Sequence, residues 1–243
     1  MPAESAKTDG RQVRWDRHNQ VRRQHIIDAA IEVLGETEPG GEVHVQQIAD
    51  RAGLSRTVVY RHFTDRADLD AAVQGAVLEL LRAELVPALS FEGTPVEIIR
   101  RIVAAYVGWA VAHPSLHEFG QADPPGQRST QGPGQMERAI GHIAGQVEDL
   151  INVGVEVLHV QLEEHEREGL DPLVFGLVGA VFTSVHRWLS RPDRRPTAEQ
   201  LVDLATEAIW FQIAGMARAR GVELDPDTPV EQLLEAAFDG AAE

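Results

Sequence analysis

Apolar residues recur along this chain every three to four positions, and no stretch alternates convincingly as a strand. The pattern predicts an all-α fold of about ten helices. Ile26, Ala29, Ala30, Val33 and Leu34 share one face of a helix from about Asn19 to Gly35, and a turn with Pro39, Gly40 and Gly41 follows. Two short helices come next. A longer helix runs from Arg66 to about Val86, capped by Thr64 or Asp65 and stopped by Pro87. Thr94 and Pro95 open a helix to Ala112, and Ser115–Phe119 forms a short amphipathic piece beyond Pro114. The low-complexity stretch 120–134 reads as a loop. A long helix is expected from Gln135 to Glu168, another from Pro172 to about Ser190 capped by Asp171, a third from Thr197 to Arg220, and a last from Thr228 to Phe238.

Residues 45–63, VQQIADRAGLSRTVVYRHF, carry the most specific chemistry. Ile48, Ala49 and Ala52 give the first short helix an apolar stripe. Gly53 supplies the positive φ of a sharp turn, Leu54 fills the angle, and Ser55 stands where an N-cap belongs. The second helix sets Val59 and Phe63 on one side and offers Arg56, Thr57, Tyr60, Arg61 and His62 on the other. A helix anchored by one face and lined with donors and cations on the other suits the major groove of DNA.

Charge looks unfavourable to that reading until its distribution is considered. The 243-residue chain has a net charge of −16. Residues 1–70 hold 10 basic and 12 acidic side chains, whereas residues 71–243 hold 12 basic and 26 acidic. Five arginines fall in 11–25 and four in 51–66, so a near-neutral head with basic patches precedes an acidic body. Residues 1–18 read as a flexible basic arm whose Arg14 and Arg17 can neutralise phosphates or enter a minor groove. Residues 19–70 form the helix-turn-helix domain and 71–243 the helical body. Absence of cysteine excludes disulfides and thiolate chemistry. No apolar run approaches the roughly 20 residues of a membrane span, and the polar start carries no signal segment, so no membrane partner and a cytoplasmic location are expected.

The phrase IADRAGLS followed by VVYRHF and the helix start Asp65–Leu69 resembles the signature of the tetracycline-repressor (TetR) family of transcriptional regulators, specifically within residues 24–72. The resemblance departs at Thr57 and Val58, where members often carry glycine then threonine, and Thr57 stands in for the usual threonine–phosphate contact. Arg66 replaces a common lysine. The resemblance implies a double-stranded DNA operator read as a homodimer, with contacts from His44, Val45 and Gln46 at the first short helix and from Ser55, Arg56, Thr57, Tyr60, Arg61 and His62 at the second. Arg61 has the alternative of pairing with Asp65.

It also implies that the last long helices dimerise as a four-helix bundle and that the central helices hold a small hydrophobic or amphipathic effector. The expected lining is Val103, Tyr106, Trp109, Ala110, Phe119, Ile143, Val147, Ile151, Phe175, Phe182 and His186. No cofactor, metal or catalytic residue is expected: no nucleophile–base pair or phosphate loop is present, and Pro114 interrupts the His113/His117 spacing. The leading expectation is a ligand-responsive regulator, most often a repressor in this family. The alternative is a helical small-molecule-binding or scaffold protein without specific DNA binding.

Overall fold

The computed structural model describes residues 10–90, 92–122, 134–157, 160–230 and 232. Among these residues there are ten α-helices and no strand: α1 (Gly10–Glu36), α2 (Val45–Arg51), α3 (Arg56–His62), α4 (Arg66–Leu85), α5 (Pro95–Ala112), α6 (Pro114–Gln121), α7 (Gln135–Val157), α8 (Glu164–Glu168), α9 (Leu170–Leu189) and α10 (Ala198–Arg218).

Local chemistry explains most boundaries. Asp65 caps α4 by accepting from the Asp68 N–H at 2.8 Å. Thr94 and Thr197 open α5 and α10 through reciprocal capping boxes with Glu97 and Gln200. Gly53, at φ +64°, ends α2. Its N–H bonds to Asp50 O and the Leu54 N–H bonds to Ala49 O, the paired contacts of a Schellman motif.

Three expectations need correction. Helix α1 begins at Gly10 rather than near Asn19, so the backbone of 10–18 is helical rather than a flexible arm. Nothing between Arg11 and Leu34 is glycine or proline, and the arginines and glutamines there are good helix formers. The long helix expected over Gln135–Glu168 stops at Val157 and restarts as the one-turn α8. Val153, Val155, Val157 and Val160 crowd that stretch with β-branched side chains. Helix α9 starts at Leu170 with Gly169 as cap, so Asp171 is not the cap. Pro172 falls in the first turn, where its missing N–H costs nothing. Most of the loop at 120–134 and of the helix expected at Thr228–Phe238 lies outside the described residues.

Helix α4 is the axis of the molecule, packing against α1 in the head and against α5, α6 and α7 in the body. One continuous core runs from Ile26, Val59 and Phe63 through Leu69, Val73 and Val77 to Tyr106, Ile143 and Phe182. In the body α10 lies along α5 and α9 along α7. The short helix α6 touches α1, α4, α5 and α9. By length and composition the segment 164–189 is apolar enough to cross a membrane. In the fold, Val174, Val178, Phe182 and Val185 of that segment enter the core, while Leu173, Gly176 and Ala180 remain exposed.

Candidate nucleic-acid interface and effector cavity

The surface of α3 divides as its pattern predicts. Val59 is buried, Val58 and Tyr60 are half-buried, and Arg56, Thr57 and Arg61 are exposed. Arg56 sits one turn before Tyr60, its guanidinium carbon 5.8 Å from the ring centroid. The Ser55 hydroxyl accepts the Val58 N–H at 3.4 Å, so it serves the helix start.

Several basic side chains of the head are neutralised internally. Arg51 pairs with Glu32 and Glu36 on α1, and Arg66 donates from Nε to both carboxylate oxygens of Asp70 at 2.8 Å. Arg23 on α1 donates to the His62 carbonyl at 2.5 Å and to Asp68 at 2.9 Å, and its guanidinium covers the Phe63 ring at 4.1 Å. The Arg23 guanidinium and then the Thr64 N–H hold the Asp68 carboxyl below the usual carboxylate range. The basic patch at 51–66 therefore reduces to Arg56 and Arg61, and no ion pair between Arg61 and Asp65 is present. Arg14 and Arg17 fall on α1, with their side chains outside the described part of the structure.

The remaining head residues have local duties. The His62 Nδ1 lies 2.6 Å from Asn19 Oδ1, and burial, then Arg22, Arg23 and His18, hold its pKa down. Gln46 donates to Asp50 at 2.7 Å, and the His44 N–H donates to the Gln47 side chain at 2.6 Å. The Val45 side chain is buried, which leaves only its backbone for an outside contact.

The body keeps most of the expected lining residues inside. Val103, Tyr106, Trp109, Ala110, Ile143 and Phe182 are buried, while Phe119, Val147, Ile151, Phe175 and His186 are half-buried. They do not all surround one space. A cavity of about 10 Å³, room for one water at most, is bounded by Tyr106, Trp109 and Phe182 of the expected set. Its other walls are Val77, Leu78 and Leu81 of α4, Leu116, His117, Gly120 and Gln121 of α6, and Met136 of α7.

Sequence reasoning missed His117 and Gln121 because it ended the short piece after Pro114 at Phe119 and assigned Gln121 to the following loop, whereas α6 continues to Gln121 and sets the two residues one turn apart. His113 and His117 part company: His113 is exposed with its ring 5.5 Å from Trp109, whereas His117 is buried. The Tyr106 hydroxyl and His117 Nε2 are 2.9 Å apart, and Gln121 Nε2 reaches both only at 3.5 Å. Phe182 stacks on Tyr106 at 4.3 Å and His186 on His117 at 5.9 Å. Burial, then the neighbouring His186, pushes the His117 pKa down to about 4, and burial raises that of Tyr106.

Helix α6 ties this cavity to the head. The Ser115 hydroxyl donates to the Thr37 carbonyl at 2.5 Å, just beyond the end of α1. On α4, the Gln74 amide donates to the Gly120 and Ala122 carbonyls at 2.9 and 2.8 Å.

Comparison with known proteins agrees with this geometry. Residues 26–73 match the family described as bacterial regulatory proteins, tetR family. The chain is 29% identical over 231 residues to the uncharacterized HTH-type transcriptional regulator Rv0472c of Mycobacterium tuberculosis, covering 91% of this chain and 89% of that protein. The fold resembles that of FadR from Bacillus subtilis in complex with stearoyl-CoA (TM-score 0.56, 16% identity, 76% of this chain and 96% of that one). It also resembles RolR in complex with resorcinol (TM-score 0.55, 17% identity, 91% of this chain and 95% of that one). With the helix-turn-helix geometry of α2 and α3, these matches identify residues 26–73 as a DNA-binding domain of the tetR family of bacterial regulatory proteins.

Proposed function

We propose that the chain is a ligand-responsive repressor that binds a palindromic operator as a homodimer and leaves it when a small effector enters the body. Arg56, Thr57 and Arg61 contact the DNA from the exposed face of α3, with the Tyr60 hydroxyl and the start of α2 directed to phosphates. Arg14 and Arg17 extend the contact along the backbone. Ser55 and His62 act mainly by holding α3 in place. The protein works in the cytoplasm, where its operator lies, and as a regulator rather than an enzyme.

The observation that carries the reading is the position of α6. One helix bounds the cavity through His117 and Gln121, holds the end of α1 through Ser115, and is held by Gln74 of α4. A ligand that displaces α6 changes the support of both helices that carry the head, so ligand and DNA oppose each other reciprocally. Dimerisation is supported by an uncovered apolar face: Leu173, Gly176 and Ala180 on α9, with Leu204, Ala208 and Phe211 on α10, are all exposed. Two heads related by a two-fold axis then meet successive major grooves about 34–36 Å apart.

Two ligand-bound structural neighbours hold chemically different molecules, stearoyl-CoA in FadR and resorcinol in RolR, so likeness of fold supports an effector without choosing one. Fluorescence anisotropy of the full chain on DNA fragments from around its own coding region tests the proposal. Nanomolar, sequence-selective binding by a dimer is expected, and uniform weak binding to all fragments overturns it.

A further inference from the structure

The cavity chemistry narrows the effector beyond the hydrophobic or amphipathic molecule expected from the sequence. We infer that the effector is a small, uncharged aromatic molecule bearing a hydroxyl or carbonyl group, anchored by Tyr106, His117 and Gln121. This rests on the proposed effector-responsive function and identifies the chemistry of its site.

Three observations carry it. First, the polar wall is neutral. No Lys, Arg, Asp or Glu lines the cavity among the described residues. A carboxylate or ammonium brought there loses its water without gaining a counter-ion, a penalty large enough to exclude it. His117 is held neutral by its burial, so it supplies no charge at pH 7.

Second, the polar groups are incompletely used. The Tyr106 hydroxyl has one donor and two acceptor sites, and Gln121 reaches it and His117 only through 3.5 Å contacts. With the Tyr106–His117 bond kept at 2.9 Å, a ligand hydroxyl or carbonyl that meets the Gln121 amide and the remaining acceptor site of Tyr106 makes shorter bonds than those 3.5 Å contacts, which gives orientation as well as affinity.

Third, the walls are flat. Tyr106 and Phe182 stack at 4.3 Å, and Trp109 and His117 complete an aromatic enclosure that favours a ring over a flexible chain.

Size ties this site to the switch. A benzene-sized ligand needs a cavity of about 150 Å³, far more than the 10 Å³ present. Entry therefore requires the walls to part. Met136 is the most adaptable of them, and α6, which carries two of the three anchor residues, is the shortest helix there.

The test is titration of the full-length chain with phenol, benzoate and benzylamine, followed by calorimetry and by thermal shift. Phenol is expected to bind at least tenfold more tightly than either ion. Tyr106→Phe and Gln121→Leu should each weaken phenol at least fivefold, and Met136→Ala, which enlarges the space without touching a polar group, should tighten it. Equal or tighter binding of benzoate or benzylamine, absence of phenol binding, or phenol binding indifferent to both anchor substitutions overturns the assignment. The same probes added to the DNA complex separate the two layers of the argument. Release of DNA by benzoate or octanoate but not phenol overturns the assignment and leaves the regulatory reading standing. Anchor-dependent phenol binding that never releases DNA upholds the ligand chemistry of the cavity and overturns its role as the effector site.

Discussion

The Ser115 hydroxyl on α6 donates a 2.5 Å hydrogen bond to the Thr37 carbonyl at the end of α1, a contact spanning 78 residues of sequence. It links the first helix of the head to a helix that bounds the cavity on its other side. Ser115→Ala removes that link without emptying the core. One such bond contributes on the order of 1 kcal/mol. The variant is expected to bind DNA within about threefold of the parent, while the effector concentration needed for half-release rises about fivefold. Anisotropy titrations with and without effector measure both quantities.

Arg56 and Thr57 lie exposed in the first turn of α3. Replacing either by alanine is expected to cost about 1–3 kcal/mol of specific affinity and to relax the sequence preference. Arg61→Ala should weaken all sequences alike and lower the salt slope by about one. Competition titrations at several salt concentrations distinguish the two behaviours. Arg51 and Arg66, already paired with carboxylates of this chain, should leave the salt slope nearly unchanged when replaced by glutamine.

Arg23 acts through structure. Its bonds to the His62 carbonyl and Asp68 and its cover over Phe63 hold α3 and α4 against α1. The side chain is about a third exposed, so solvent screening limits the ion pair, and Arg23→Ala is expected to cost about 1–2 kcal/mol of stability. Urea denaturation checks the value, and most of the loss should persist in about 1 M NaCl, because salt screens the short carbonyl bond and the close ring contact less than an exposed ion pair.

Acid should loosen the cavity before it unfolds the head. Burial, helped by His186, sets the His117 pKa at about 4, below the ordinary value near 6.5. As pH falls from about 6.5 toward 4 the unfolded chain takes up a proton that the folded chain refuses, so this group's contribution is present above 6.5 and is lost on acidification. The loss amounts to roughly 3 kcal/mol at its limit. His117→Gln should flatten the urea midpoint across pH 7 to 4.5 relative to the parent.

Leu204 and Phe211 on α10 are 56% and 63% exposed, large for apolar side chains. Phe211→Glu is expected to give a folded monomer by light scattering, with operator affinity reduced at least a hundredfold because two half-sites no longer bind together. A dimer unaffected by both Phe211→Glu and Leu204→Glu places the interface elsewhere.

The parts of this molecule governed by local rules were legible from the sequence alone. Gly53, Ser55, Asp65, Thr94 and Thr197 each act at a helix end through bonds to residues a few positions away. The surface of the head was less so, because a basic residue reveals nothing about its partner. Arg23, Arg51 and Arg66 meet Asp68, Glu32, Glu36 and Asp70 only after folding. The cavity was the least legible. Tyr106 and Phe182 were recognisable as apolar-face aromatics, but His117 and Gln121 join them through a helix that follows a proline, and Val77, Leu78 and Leu81 belong to a helix from which no lining residue was expected. Ile143, Val147, Ile151 and Phe175 show the converse: the family resemblance put them among the effector lining, and they pack in the core beside the cavity walls.

Selection of bound sequences from a random double-stranded DNA pool tests the central claim most directly. The account predicts enrichment of one inverted repeat whose half-sites are about 10–10.5 base pairs apart, lost with Arg56→Ala and with the monomeric Phe211→Glu. A pool that stays unenriched, or that yields a single unrepeated site bound equally well by the Arg56→Ala chain, contradicts it.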